Sequence, residues 1–285
     1  MLEGRGQGTT INSLSFGIVC YETPLTQLEK LLGSILQAIA FIRTRQTLSS
    51  IVIYVIDNSE RVSLSLSSIC RQQELIEALA VDVRHIHGHG NLGYGRAQNL
   101  LLGKLESDFH VILNPDITLE EDALFEGFKV FTNNPSVVMA SPNARDIRGE
   151  KLYLCKRYPS LLVLLMRGIL PQISKVFFQK KLASYEMREL PESTVASNIP
   201  LISGCFMIAD TRAFQKVGGF DERYFLYFED FDLSLRMRSI GQLAYAPRVR
   251  ITHAGGQAAK KGLRHIWFFV QSGVRFFQLH GWRLI

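Results

Sequence analysis

Four apolar runs rich in Val, Ile, Leu and Phe, at Leu14–Cys20, Ile51–Ile56, Val81–Ile86 and Phe109–Leu113, take turns with stretches of helical spacing at Leu25–Ile42, Leu66–Leu79 and Tyr94–Leu105. That β-α-β-α-β-α-β order leaves little freedom. Successive strands joined through helices must run parallel, their sheet must be covered on both faces, and a ligand binds beyond the carboxyl ends of the strands. The expected fold class is therefore α/β, Rossmann-like, with a mostly parallel central sheet and helices on both faces.

The pattern loosens after Pro142. Lys151–Glu192 shows no clear strand alternation, and a further strand is expected at Leu201–Ala209. With 285 residues and 47% apolar content the chain can bury one large core. The expected organisation is one domain over 14–256, with 14–116 as the nucleotide-binding half and 117–256 as the acceptor half. A polar tail precedes it over 1–13, either disordered or foreign to the natural chain, and a basic, aromatic helical segment follows over 257–285.

Four dispersed cysteines, Cys20, Cys70, Cys155 and Cys205, include no C-x-x-C pair, which argues against a zinc cage or a disulfide framework and for a reducing compartment. The N-terminus lacks the basic and apolar regions of a signal peptide. The longest purely apolar run, Leu161–Met166, is ended by Arg167 and is far short of the roughly 20 residues of a spanning helix. Integral insertion is not expected. The net charge of +6 suits nucleic acid, an anionic membrane or a phosphorylated substrate alike. Its placement is more telling: basic residues mix with Leu, Phe and Trp in Lys151–Arg188 and Lys260–Arg283, while carboxylates gather in the motifs. Pro159–Lys181 reads either as an amphipathic helix pair on the core or as an interfacial acceptor wall.

Five motifs carry oxygen and nitrogen donors. Asp57-Asn58-Ser59 leaves the second strand, where a carboxylate accepts hydrogen bonds from a nucleotide or simply shapes a turn. Asn91-Leu92-Gly93-Tyr94-Gly95 opens a helix with backbone that a phosphate can approach, though a tight turn explains the glycines equally well. Asn114-Pro115-Asp116 ends a buried strand with two oxygen donors stiffened by proline. That suits a divalent cation holding a diphosphate, and the following Thr118-Leu119-Glu120-Glu121 also suits a helix start. In Tyr227-Phe228-Glu229-Asp230-Phe231-Asp232, aromatics lead into carboxylates at a helix start. Glu229 and Asp230 suggest a general base, and Asp232 a surface ion pair with Arg236. His253, ahead of Gly255-Gly256, is either structural or the nitrogen ligand that completes a metal site.

Together with Lys156-Arg157-Tyr158-Pro159, Ser203-Gly204-Cys205-Phe206-Met207 and Gly219-Phe220-Asp221, and in this order, these stretches resemble the family 2 glycosyltransferases of the GT-A fold over Ser15 to His253. The likeness is nearest to bacterial rhamnosyltransferases of surface-polysaccharide (O-antigen) synthesis. The resemblance implies that Asp57, Asn58, Asn91, Gly93, Asn114 and Asp116 surround the nucleotide-sugar. It implies that Asp116 and His253 hold Mg²⁺ or Mn²⁺, and that Asp230, supported by Glu229, is the catalytic base of an inverting transfer. Asn114 departs from the family's D-x-D pattern and leaves one fewer negative charge for the metal.

The resemblance further implies dTDP-L-rhamnose as donor. The basic, aromatic segment Lys260–Arg283 points to a polyprenyl-diphosphate-linked saccharide as acceptor and a peripheral place on the anionic inner face of the cytoplasmic membrane, with Trp267, Phe268, Phe269, Phe276, Phe277 and Trp282 either in the headgroup layer or packed on the domain. The competing readings are a UDP- or GDP-sugar enzyme with a soluble acceptor, a basic nucleic-acid-binding protein, and a non-catalytic scaffold. Nucleic acid is not the expected partner, since no helix-turn-helix, RNA-recognition or zinc-finger signature is found and the carboxylates repel phosphate.

Overall fold

A computed structural model describes residues 12–65, 67, 72–168, 178–255 and 262–284. The tail over 1–11, Cys70, Lys175, Gly256 and Lys260 lie outside them. Eleven strands are found among the described residues: β1 (Ser13–Cys20), β2 (Ser50–Asp57), β3 (Asp82–Ile86), β4 (Phe109–Leu113), β5 (Ile117–Leu119), β6 (Val137–Arg145), β7 (Lys151–Leu152), β8 (Cys155–Lys156), β9 (Leu201–Ile202), β10 (Phe206–Asp210) and β11 (Gln242–His253). The main sheet is ordered β3-β2-β1-β4-β10-β6-β11-β5, with β7 on β6, and β8 pairs with β9 alone.

The first half is the parallel block that the alternation demands: β2 and β4 flank β1, and β3 flanks β2, all parallel. The second half is mixed. Strand β10 runs antiparallel to both β4 and β6, while β11 is parallel to β6 and antiparallel to β5.

Side chains alternate across the pleat and so build two cores. Phe109, Val111 and Leu113 face one layer with Leu14, Phe16, Ile18 and the first helix, Leu25–Arg43. Ile112 faces the other with Ala97, Phe214, Leu233 and Met237. Helices thus cover both faces, as expected. The first helix is long and apolar enough to cross a membrane by length and composition alone, although it holds no purely apolar run of that length. Half of it is buried inside the protein, with Leu28, Leu31, Ile35 and Ile39 in the core, so its apolar stripe is used by the sheet.

Three local expectations change. The stretch Tyr94–Leu105 is a six-residue helix, Tyr94–Asn99, followed by a 3₁₀ turn, Leu102–Lys104. The single strand expected at Leu201–Ala209 is two strands in different sheets, parted by a turn at 203–205. The segment after Asp116 is strand β5 rather than a helix start; the helix begins at Ala123. Both of the last two changes shape the site.

Candidate active site

Strand β4 is buried throughout and delivers Asn114-Pro115-Asp116 at its carboxyl end. The Asn114 N–H donates to the Cys205 carbonyl at 2.9 Å, which ties this exit to the turn between β9 and β10. Strand β5 then pairs antiparallel with the end of β11, with Ile117 opposite His253. That pairing brings Asp116 Oδ2 to 3.2 Å from His253 Nε2, and the Asp116 carbonyl accepts the Ala254 N–H at 2.9 Å. Gly255 closes over the pair: a Cβ there would overlap the Asp116 carboxylate. Burial opposes a charged His253, but hydrogen bonds with Asp116 and Cys205 outweigh it and push its pKa up to about 10.

A carboxylate and an imidazole converging beneath a residue without a side chain fit a divalent cation with mixed oxygen and nitrogen ligands. Among the described residues no group of three or more His, Cys, Asp or Glu side chains is placed to hold a metal. A cation on Asp116 and His253 therefore needs further oxygens, which a diphosphate and water supply.

The second acidic centre stands at the start of the helix Glu229–Arg238. Asp230 Oδ2 accepts the Gly204 N–H at 2.8 Å, and its Oδ1 accepts the Phe231 N–H at 2.9 Å. The Gly204 donor exists because β9 and β10 part at that turn and leave its N–H outside both ladders. Glu229 is buried, and its Oε2 has no hydrogen-bond partner among the described residues. Burial raises both carboxyls above the ordinary range; the charge of Asp230 adds to the shift at Glu229, while the Gly204 and Phe231 N–H groups moderate it at Asp230. Two residues ahead of this pair, Tyr227 (φ 70°) and then Phe228 (φ 63°) adopt left-handed backbone. Non-glycine residues in that region cost about 1–3 kcal/mol each and cluster at functional sites.

The metal-type pair and the acidic pair are joined through Gly204-Cys205. Gly204 holds Asp230. Cys205 accepts the Asn114 N–H through its carbonyl. Tyr94 closes the group: its hydroxyl donates to the Gly204 carbonyl at 3.1 Å and its N–H to the Phe225 carbonyl at 3.1 Å. Gly93 is required before it, with φ 81° and no room for a Cβ against that same Phe225 carbonyl.

A third corner holds Asp57, Asn58 and Asn91. The Asn58 side chain donates to Asn91 Oδ1 at 3.2 Å and to the Gly93 carbonyl at 3.3 Å, and accepts the Leu92 N–H at 3.0 Å. Asn58 thereby fixes the loop that presents Tyr94. Asp57 is buried, and its carboxylate accepts the N–H groups of Ser59, Ser63 and Leu64 at 3.2, 2.7 and 3.1 Å. Burial alone would raise this carboxyl; the hydrogen bonds win and hold it below its ordinary value. In this structure Asp57 organises the loop over 57–64, and its oxygens are turned to backbone.

Asp232 is not the surface ion pair that its spacing suggests. It is buried, takes Arg236 at 2.7 Å, and takes His280 Nε2 at 2.8 Å from the last turn of the C-terminal helix, Leu263–His280. Aromatics of that helix pack on the domain, which is one of the two alternatives set out for them. Phe276 and Phe277 are fully buried with Tyr224 and Phe228, while Ile266, Trp267 (64% exposed), Val270 and Val274 face outward. Sequence reasoning did not assign roles to Tyr94, Gly204, Cys205, Gly255 or His280. For Gly204 and Cys205 the signal was present, as a turn-forming Ser-Gly inside an apolar run.

The parallel block, the antiparallel switch at β10 and the acidic site at the strand ends define a GT-A glycosyltransferase fold. The chain superimposes on the crystal structure of GalNAc-T7 with UDP, GalNAc and Mn²⁺ at TM-score 0.61, 13% identity, covering 95% of this chain and 48% of that one. In sequence it is similar to N-acetylglucosaminyl-diphospho-decaprenol L-rhamnosyltransferase of Mycobacterium tuberculosis, 28% identical over 186 residues, which is 60% of this chain and 59% of the relative. It is also similar to rhamnosyltransferase WbbL of Escherichia coli K12, 26% identical over 215 residues, 70% of this chain and 72% of the relative. The chain thus matches about three-fifths of the mycobacterial relative's length. No family model matches the chain. These likenesses agree with the resemblance to family 2 rhamnosyltransferases drawn from the motifs.

Proposed function

We propose that the protein is an inverting, metal-dependent glycosyltransferase that moves L-rhamnose from dTDP-L-rhamnose to a saccharide on a polyprenyl diphosphate. The observation that carries this reading is that the turn Gly204-Cys205 ties both centres together, Gly204 holding Asp230 and the Cys205 carbonyl holding the strand exit that presents Asp116 to His253. The names of the relatives supply the sugar and the lipid-diphosphate acceptor.

Asp116 and His253 are the residues to hold Mg²⁺ or Mn²⁺, which when bound offsets the negative charge on the donor diphosphate. Asn58, Asn91 and Gly93 shape the wall against the nucleotide, with Asp57 holding the second-strand exit in place. Asp230 is partly open to solvent and both its oxygens are oriented by N–H groups, so it is fixed for one task. It takes the proton of the acceptor hydroxyl as that oxygen attacks C1 of the sugar. The bond from C1 to the diphosphate oxygen breaks in the same displacement, and C1 is inverted. Burial raises the proton affinity of Asp230 above that of an ordinary carboxylate, and Glu229 lies buried beside it.

The outward face of the C-terminal helix, with Ile266, Trp267, Val270 and Val274, and with Arg264 and Arg283 exposed nearby, suits the headgroup layer of an anionic membrane. A lipid-linked acceptor would be met there.

The test is a donor screen that reads nucleotide release with Mn²⁺, Mg²⁺ or chelator, with and without a polyprenyl-diphosphate N-acetylglucosamine acceptor in anionic vesicles. The expected result is release of dTDP that needs both cation and lipid acceptor, with the protein sedimenting with the vesicles. Release from a UDP- or GDP-sugar onto a soluble sugar would replace the donor and acceptor, and turnover in chelator would remove the metal.

A further inference from the structure

The helix Glu229–Arg238 begins on two consecutive left-handed residues, and such a start does not hold itself. Beyond the Gly204 and Tyr94 N–H groups, a row of contacts that hold it comes from one element. Ser272 Oγ of the C-terminal helix donates to the Leu226 carbonyl at 2.8 Å. Tyr227 Oη and His265 Nδ1 are hydrogen-bonded at 2.9 Å. Phe228 packs on Phe269 and Phe276, with ring centroids 5.1 and 5.4 Å apart, and Gly273 lies flush against the same Phe228 ring. Arg275 donates to the Arg223 carbonyl. One turn further along the catalytic helix, His280 Nε2 meets buried Asp232 at 2.8 Å, and Arg236 binds the other Asp232 oxygen while donating to the carbonyls of Val217 and Gly219. The contacts run the length of the C-terminal helix and fall on the residues before and after Asp230, never on Asp230 itself.

We propose that the C-terminal helix is a positioning element of the active site, its residues Ser272 and His280 fixing the strained entry and the seating of the helix that carries the base. The inference rests on the reading of Asp230 as that base. Its physical content is geometric. A displacement of about 1 Å at a base costs up to about a hundredfold in rate, and the Asp230 carboxylate keeps its aim only while Gly204 and Phe231 N–H groups both reach it. Loosening Asp232 or Leu226 lets the helix start relax away from the left-handed pair and carries Asp230 with it. The element whose outer face suits a membrane would thus also set the aim of the chemistry within.

The experiment compares His280→Ala, His280→Gln and Ser272→Ala in the full chain, reading kcat, donor KM and Tm, with Asp230→Asn alongside. The expected result is a kcat lowered about 10- to 100-fold in His280→Ala and several-fold in Ser272→Ala, with donor KM unchanged. Gln presents an amide N–H to Asp232 Oδ1 and should restore most of kcat. Wild-type kcat in both His280→Ala and Ser272→Ala overturns the proposal. So does a His280→Gln that stays as slow as His280→Ala, or a loss that follows Tm and donor KM alike. Asp230→Asn separates the two claims: if it turns over normally the base assignment fails, and if it is dead while the clamp variants are normal the positioning role fails.

Discussion

Asp57 ends a strand of the parallel block and Asp230 stands in the first turn of the helix Glu229–Arg238, and their surroundings drive them in opposite directions. Asp57 lies in the parallel block, where the loop after β2 folds back and aims the N–H groups of Ser59, Ser63 and Leu64 at one carboxylate. Asp230 lies beyond the antiparallel switch, with two N–H donors and the buried carboxyl of Glu229 as its sequence neighbour. Hydrogen bonds win at Asp57 and hold it ionised; desolvation wins at Asp230 and raises its proton affinity. A carboxylate saturated by backbone donors is a structural anchor. One left with spare acceptor capacity and a raised pKa is able to take a proton.

The largest test of this contrast is Asp230→Asn, which keeps the shape and removes the proton acceptor. Turnover should fall about 10²- to 10⁴-fold, while donor binding by calorimetry is preserved. Near-normal turnover would erase the distinction between the two centres.

Asp57→Ala should act mainly on the fold. It strips partners from the part-buried Ser63 N–H and the buried Leu64 N–H, so the unfolding free energy should drop by about 1–3 kcal/mol in a denaturant titration. An unchanged denaturation midpoint, with only donor affinity lost, would make Asp57 a ligand contact and not an anchor.

The smallest effect is the most discriminating. The base works ionised, so the rate should fall as pH drops through a value above the ordinary carboxylate range, about 4, and hold at higher pH. Burial and the Asp230 charge push Glu229 higher than Asp230, so Glu229 is neutral where Asp230 titrates and Glu229→Gln should leave the acid limb of kcat in place. A limb that moves to lower pH would mean that Glu229 carries its charge while Asp230 takes up its proton.

The same division runs through what could be read in advance. Strands β1, β2 and β4 were legible because buried parallel strands are continuous apolar runs, while β3, Asp-Val-Arg-His-Ile at the sheet edge, has only exposed and half-buried positions and is not the buried strand expected. Strand β6 was not recognised, and of β11 only a short strand leading to His253 was. Stretches such as Ser141-Pro142-Asn143 and Tyr245-Ala246-Pro247-Arg248 interrupt them with proline and polar residues, and the β6–β11 register shifts between Ala246 and Arg250. Asp232 was misplaced at the surface because its i+4 partner, Arg236, is visible in sequence, whereas His280 lies 48 residues away.

The sequence by itself determined the alternating frame, the helix-covered parallel half and the inventory of donors, since periodicity and residue chemistry are local properties. Tertiary structure decided which donors meet. Asp116 faces His253 only because a three-residue strand pairs with the end of β11. Asp230 gains the Gly204 N–H only because one apolar run divides between two sheets. Pairings of that kind depend on registers between distant segments, and no spacing along the chain encodes them.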